Sequence, residues 1–127
     1  MKDEKTRVYY RLTYPDSCRP TLVMDFNDYE IEDVSEYGVK VKIDDDLAFM
    51  VDDTVMATIA FPDGKEFDLI GRVIRVEQGY AGLHLDAPLP LELIKAEAQY
   101  VIIETGESWV VGALPFFFKL ILSSFLS

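Results

Sequence analysis

Two short polar motifs near the start of the sequence contain the side chains best suited to binding chemistry. Arg7 and Arg11 lie four positions apart in the segment RVYYR, and Asp33 begins the segment DVSEYG. An arginine guanidinium can donate two parallel hydrogen bonds to a phosphate or to O6 and N7 of guanine, and it can stack on a purine. A carboxylate such as Asp33 can accept hydrogen bonds from N1–H and N2–H of guanine, an edge that adenine lacks. Together the two motifs favour a guanine nucleotide as ligand.

The second motif also contains a hydroxyl group and a glycine. Ser35 can donate a hydrogen bond to a ligand or accept one from it, and Gly38 suits a place where the backbone needs a positive φ or passes close to the ligand. Lys5 is a further candidate for phosphate contacts. The alternatives are that the arginines pair with surface acids and that Asp33 and Ser35 form an ordinary turn between strands.

The elements that position these residues follow from the apolar pattern. Residues 1–19 show neither a helical period nor sustained alternation, and they contain Pro15 and end before Pro20, so we predict an extended arm that ends in a turn. Short runs separated by turn signals then predict the strands of a small barrel. The six runs are TLVMDF, YEIEDV, VKVKI, TVMATIAF, EFDLIGRVIRVE and AGLHL. We therefore expect an all-β fold with a C-terminal helix, built on a six-stranded antiparallel barrel.

Alternation within the runs predicts which side chains face the core. In VKVKI, residues 39–43, the valines and the isoleucine should point inward and the lysines toward water. The longest run does not separate cleanly into two faces, and we predict that a bulge at Gly71 resets its register.

A helix is predicted after Pro90, because apolar residues there recur every three or four positions. The predicted apolar stripe consists of Leu91, Ile94, Ala98, Val101 and Ile102. Pro90 falls near the first turn, where proline is tolerated.

Length, composition and charge restrict the class of protein. The chain of 127 residues suits one domain, and 50% apolar with 13% aromatic residues indicate a folded protein. The net charge of −11 opposes binding to DNA, RNA polymers and anionic lipid, so we expect no nucleic-acid polymer as partner. Cys18 is the only cysteine and no apolar segment follows the basic first residues, so we expect no disulfide framework, no signal peptide and a cytoplasmic location.

The sequence contains no recognisable set of catalytic side chains. His84 is the only histidine, and alternation with Leu83 and Leu85 turns it away from the core. A metal site of several histidines and cysteines is therefore excluded, and a serine triad would depend on His84 alone. The acidic stretch at residues 44–53 lacks the glycine and glutamate spacing of a calcium loop. We expect no enzyme, no metal ion and no cofactor.

The arginine pair, an intervening strand and the string Asp-x-Ser-x-x-Gly, in that order, resemble the PilZ domain family. Arg7, Arg11, Asp33, Ser35 and Gly38 complete the family pattern. The resemblance extends over about residues 5–103 and includes the segment GRVIRVEQGYAGLHL. It implies a PilZ-type six-stranded barrel that binds cyclic di-GMP through these five residues.

The sequence pattern divides the chain into an arm at residues 1–19, a barrel with its helix at 20–106 and an apolar tail at 107–127. The resemblance also implies a role. Cyclic di-GMP would bind between the arm and the turn, and the ordered arm would signal to an unidentified protein partner in bacterial motility, pilus function, biofilm formation or virulence. The alternative is a PilZ-type adaptor that binds a protein partner without nucleotide. Hydrolysis of the dinucleotide would need metal-ligand clusters that the sequence lacks.

The tail is a separate feature that departs from the family pattern. Residues 109–126 are mostly apolar and approach the length of a membrane span, although Pro115 and Lys119 near the middle disfavour one. An interfacial helix, an oligomer or partner contact and a flap packed on the barrel are the alternatives. The expected location is therefore cytoplasmic, with membrane association through this tail as the alternative.

Overall fold

The computed structural model of the chain describes residues 11–25, 27–44, 49–105 and 110–111. Its strands are β1 (Arg11–Thr13), β2 (Thr21–Met24), β3 (Asn27–Ser35), β4 (Gly38–Lys42), β5 (Thr54–Ala60), β6 (Glu66–Glu77), β7 (Tyr80–Leu85) and β8 (Val110–Val111). A helix, α1 (Leu91–Thr105), follows β7, and a turn of 3-10 helix spans Asp16–Cys18. The six runs that we predicted to be strands correspond to β2 to β7.

These six strands form a closed antiparallel barrel. Their order around the barrel is β2-β5-β6-β7-β4-β3, and pairing of β2 with β3 closes it. The expected fold, an all-β six-stranded antiparallel barrel with one C-terminal helix, is confirmed.

Strand β3 is shared between the barrel and the N-terminal segment. Residues 27–30 of β3 pair with β2, whereas residues 33–35 pair with β1. Strand β8 in turn pairs with β1. The nine-residue β3 therefore connects the segment that carries Arg11 to the closed barrel.

Alternate residues of the strands fill the core, as the sequence pattern predicts. Val39, Val41 and Ile43 are at most 3% exposed. Lys42 faces solvent, and Lys40 is half-buried on the same outer surface. His84 is exposed between two buried leucines, which confirms the side of β7 on which we placed it.

The register of β6 changes at a different place from the one predicted. Gly71 and Val73 both face inward, and the shift in pairing with β7 lies between Val73 and Arg75. Ile74 is the extra residue, and after it the inward position passes to Val76. The prediction of a bulge at Gly71 was therefore wrong by three residues.

Residue 71 is a glycine for a reason other than a bulge. A Cβ at this position would lie 2.7 Å from the backbone carbonyl oxygen of His84 on β7. Real Cβ atoms do not approach a carbonyl so closely, so the two strands can pass at this distance only because residue 71 has no side chain.

Helix α1 packs one side into the same core as the strands. Pro90 precedes the helix, and its carbonyl accepts hydrogen bonds from the backbone N–H groups of Leu93 and Ile94. Of the predicted stripe, Ile94, Ala98, Val101 and Ile102 are buried. Glu97 is also fully buried, which the apolar pattern did not predict.

The predicted arm and tail lie largely outside the described residues. Residues 11–19 of the arm form β1 and the 3-10 turn, and Val110–Val111 of the tail form β8. Helix α1 does not combine the length and apolar character needed to cross a membrane, and no other α-helix occurs in the described residues.

Candidate functional site

Strand β1 fixes the position of Arg11 by alternation. Arg11 is exposed, whereas the next residue, Leu12, is 1% exposed and packs in the core. Backbone pairing places Arg11 directly opposite Ser35 of β3. Two of the predicted site residues are therefore neighbours across one ladder, with the guanidinium on the outer surface.

Asp33 lies in the adjacent row of the same outer surface. The register pairs Asp33 with Thr13 on one side and with Lys40 on the other, and it continues from Lys40 through Gly82 to Arg75. A register shift between Ile31 and Asp33 precedes this row and helps to turn the Asp33 side chain outward. Residues of five strands thus form one line across the sheet.

The electrostatic environment of Asp33 supports this proximity. Burial raises the pKa of Asp33, while the charges of Arg11, Lys40 and Arg75 oppose the rise. A half-buried carboxyl group surrounded by three cationic side chains is a site at which anionic and hydrogen-bonding groups of a ligand can be held together.

Gly38 lies close to the side chain of Ser35. A Cβ on Gly38 would lie 3.1 Å from the hydroxyl oxygen of Ser35 and 3.8 Å from the carbonyl oxygen of Leu83. Among the described glycines, only Gly64 and Gly79 have positive φ. Gly38 therefore does not have the positive φ that we considered for it, and its close approach to the ligand stays a prediction.

Four of the predicted residues are brought together on one face. Arg11, Asp33, Ser35 and Gly38 lie on β1, β3 and the start of β4. Arg7 and Lys5 lie outside the described residues, so their roles stay predictions.

Two cationic residues of this face were missed by the sequence analysis. Lys40 Nζ lies 3.3 Å from Oε1 of Glu32 and 4.6 Å from the ring centroid of Tyr80. Its alternation with Val39 and Val41 places it on the outer face, and the short turn between β3 and β4 brings it opposite Asp33. This hairpin pairing was the signal that could have identified Lys40.

Arg75 could not have been found in the same way. It follows the bulge at Ile74, and a Cβ on Gly82 would lie 3.4 Å from its Nη2 atom. The absence of a side chain at residue 82 lets the guanidinium lie across β7 toward the Asp33 row. Arg75 also pairs with Glu77, the two atoms Nε and Oε2 being 3.2 Å apart.

An aromatic pair borders the site next to Gly38. The rings of Tyr37 and His84 are stacked, with centroids 5.7 Å apart and an interplanar angle of 10°. His84 is opposite Gly38 in the pairing of β4 with β7. The pair offers a flat apolar surface close to the predicted ligand residues.

Arg19 has contacts that stabilise the fold and is not part of this site. Its guanidinium forms ion pairs with Asp16, Glu30 and Glu32, and its Nε donates a hydrogen bond to the carbonyl oxygen of Tyr14. These contacts hold the connection between β1 and β2 against β3.

The described residues do not form a metal site. No group of three or more His, Cys, Asp or Glu side chains within them is arranged to hold a metal ion. The Asp33 face offers hydrogen bonding, charge pairing and stacking by its own residues.

Comparison with known proteins identifies the class to which this barrel and site belong. The family model of the PilZ domain matches residues 5–102. The chain belongs to the PilZ domain family, whose members are generally noncatalytic cyclic di-GMP-binding effector domains. Searches of curated proteins and of solved structures found no significant match.

Proposed function

We propose that this chain is a noncatalytic receptor for cyclic di-GMP, which binds on the outer face between Arg11 and the turn from Asp33 to Gly38. The observation that supports the proposal best is the pairing of Arg11 with Ser35, which lies next to the row containing Asp33. Residues separated in the sequence by a strand and a turn are thereby assembled on one surface.

The cationic side chains would hold the phosphates and stack on the bases. Arg11 is exposed at the edge of the face, and Arg75 approaches the same carboxyl group from the opposite side. A guanidinium can form two hydrogen bonds with one phosphate and can also lie flat on a purine. Arg7 of the family pattern would add a second guanidinium from the N-terminal segment, and Lys5 a further positive charge.

Asp33 would select guanine. Its carboxylate can accept from both donors of the guanine edge, whereas adenine presents no matching donor at N1. Ser35 would contribute a hydroxyl group beside it, and Gly38 would leave the space that this hydroxyl group needs. The stacked rings of Tyr37 and His84 offer a surface for the second base.

Signalling would follow from a change in the N-terminal segment. A ligand shifts a conformational equilibrium only by its different affinities for the two states, so closure of Arg7 over the ligand must expose or remove a surface. A protein partner would recognise that surface. The proposed context is bacterial motility, pilus function, biofilm formation or virulence, with the chain in the cytoplasm.

Calorimetric titration tests the proposal directly. The wild-type chain should bind cyclic di-GMP saturably and should bind GTP and cyclic di-AMP at least about tenfold more weakly, as loss of one set of base hydrogen bonds implies. Asp33→Ala should abolish this discrimination, whereas Asp68→Ala, which removes an acid from β6, should retain it.

The outcome that contradicts the receptor is equally clear. Absence of heat and of chemical-shift change with cyclic di-GMP, for a chain that remains folded, would favour the adaptor that binds a protein without nucleotide.

A further inference from the structure

A second surface of the barrel is apolar and open. Strands β2, β5 and β6 form an outer groove with a volume of about 660 Å³. Its floor includes Val23, Met56 and Ile70, which are 38%, 69% and 47% exposed. The register places Met56 directly opposite Ile70, so these side chains form a continuous strip. A strip of large apolar side chains exposed on adjacent strands indicates a contact surface.

Acidic residues surround this groove. Asp25, Asp68 and Asp86 line it, and none of the described residues that line it is basic. Asp68 accepts a hydrogen bond of 2.7 Å from the hydroxyl group of Thr58, which fixes the carboxylate beside the apolar strip. The matching occupant is an apolar segment that carries an isolated positive charge.

The sequence contains one segment with this chemistry. Residues 112–127 include Phe116–Phe117–Phe118 and Leu120–Ile121–Leu122, and Lys119 between them is the only charged residue of the segment. Three aromatic and three aliphatic residues flank one cation, which matches an apolar strip bordered by carboxylates.

The segment is also long enough to reach the groove. It follows Val111 of β8, and its sixteen residues would span about 50 Å when extended. The residues proposed to enter the groove, 116–122, lie five to eleven positions after Val111 and can reach about 17 to 36 Å from it. Val111 aligns through β1 with Ser35 of β3, which lies about 23 Å along that strand from the partner of Val23. The groove is therefore within reach of these residues.

We propose that the groove on β2, β5 and β6 is the docking site of residues 112–127 of the same chain, with Lys119 paired to the aspartates that line it. The groove shares only β6 with the Asp33 face, and it uses Phe67–Ile70 of that strand rather than Arg75, so this docking does not depend on binding of cyclic di-GMP. Docking removes apolar surface of both partners from water, which favours it.

Disulfide cross-linking in the full chain tests the proposal. With Cys18→Ser as background, Met56→Cys together with Leu122→Cys should form an intrachain disulfide in a glutathione buffer at least about tenfold faster than Ile103→Cys with Leu122→Cys. Ile103 is a suitable control position because it is 59% exposed and lies on α1, away from the groove. Mass spectrometry of the monomer and dimer fractions identifies the product.

The charge pairing has its own test in the same background. Lys119→Glu should slow formation of the cross-link to the groove, and Lys119→Arg should preserve its rate. Equal rates at Met56 and Ile103, preferential cross-linking between two chains, or the absence of any cross-link would each overturn intrachain docking. A rate that Lys119→Glu leaves unchanged would overturn the proposed pairing.

Discussion

The hydroxyl group of Tyr14 donates a hydrogen bond of 3.0 Å to Oε1 of Glu97, which lies eighty-three positions later in the sequence. Both side chains are at most 1% exposed. The second carboxyl oxygen of Glu97 is buried and receives no hydrogen bond from a donor group among the described residues, and the Asp63 carboxyl group is a neighbour of Glu97. One buried hydrogen bond therefore joins the segment that carries Arg11 to helix α1.

Loss of the Tyr14 hydroxyl group should destabilise the fold. In Tyr14→Phe the buried carboxyl group of Glu97 loses its donor, and we expect the free energy of unfolding to fall by about 1 to 3 kcal/mol. Urea denaturation followed by circular dichroism measures this change. Tyr100→Phe is the control, because its hydroxyl group donates only a long hydrogen bond of 3.4 Å to the carbonyl oxygen of Pro62. Equal stabilities of wild type and Tyr14→Phe would contradict the role of this bond.

Glu97 should make stability depend on pH. Burial and the neighbouring Asp63 raise the pKa of Glu97 from its ordinary 4.5 to about 7, while the hydrogen bond from Tyr14 opposes the rise. The folded state therefore binds more protons than the unfolded state between these two values, so this carboxyl group lowers the free energy of unfolding as pH rises from about 4.5 to 7. Above that pH its effect should level off.

Comparison with Glu97→Gln isolates this contribution. Urea midpoints measured from pH 4.5 to 8 should decline less in Glu97→Gln than in the wild type, because glutamine has no proton to lose. Parallel profiles for the two chains would assign the pH dependence to other groups.

Arg11→Ala should weaken binding of cyclic di-GMP by about 2 to 5 kcal/mol, as removal of a desolvated charge contact does. The fold should remain intact because the Arg11 side chain is exposed. Calorimetry measures the affinity and circular dichroism checks the fold. Lys65→Ala, in the turn between β5 and β6, removes one positive charge elsewhere and should leave the affinity unchanged. Unaltered binding by Arg11→Ala would refute its role.

Arg75→Ala should weaken binding of cyclic di-GMP by about 1 to 2 kcal/mol, because it removes one cation from the Asp33 row. Lys65→Ala is the control, since it removes one positive charge from the turn between β5 and β6. We expect unchanged affinity for the control in the same titration. Unchanged affinity of Arg75→Ala would place the ligand away from the Arg75 end of the Asp33 row.

Gly71→Ala should lower the free energy of unfolding by about 2 to 4 kcal/mol, because the new Cβ would force β6 away from the His84 carbonyl group. Gly64→Ala provides the comparison. Gly64 has a φ of +97° but no atom within 4 Å of an added Cβ, so only backbone strain of about 1 kcal/mol is expected. Denaturation midpoints should rank the two variants in that order, and the reverse order would contradict the close approach at residue 71.

The strands could be predicted from the sequence because their alternation follows burial directly. In β4 the pattern of Val39, Val41 and Ile43 is sufficient to assign the inner face. The broken alternation of β6 indicated a bulge but did not locate it at Ile74, because the position of a register shift depends on how two strands pair. Burial of Glu97 was missed for a related reason, since its partner Tyr14 is distant in the sequence.

The candidate site was predictable in part. The motif residues Arg11, Asp33 and Ser35 were identified from their types and spacing, whereas their alignment required the pairing of β1 with β3. Arg75 joins them only through the line of cross-strand neighbours that includes Gly82. Such neighbours are set by tertiary register, so motif reasoning alone cannot identify them.

Insertion of Leu12 into the hydrophobic interior has a consequence for the lifetime of the protein. The same three-residue strand presents Arg11 outside and Leu12 inside, so occupancy of the proposed receptor site and retention of that leucine are thermodynamically linked. A molecule that binds only the native chain protects it from unfolding in proportion to the logarithm of its concentration. A higher concentration of cyclic di-GMP would then protect the receptor from thermal unfolding and proteolysis, and a lower concentration would shorten the lifetime of the protein.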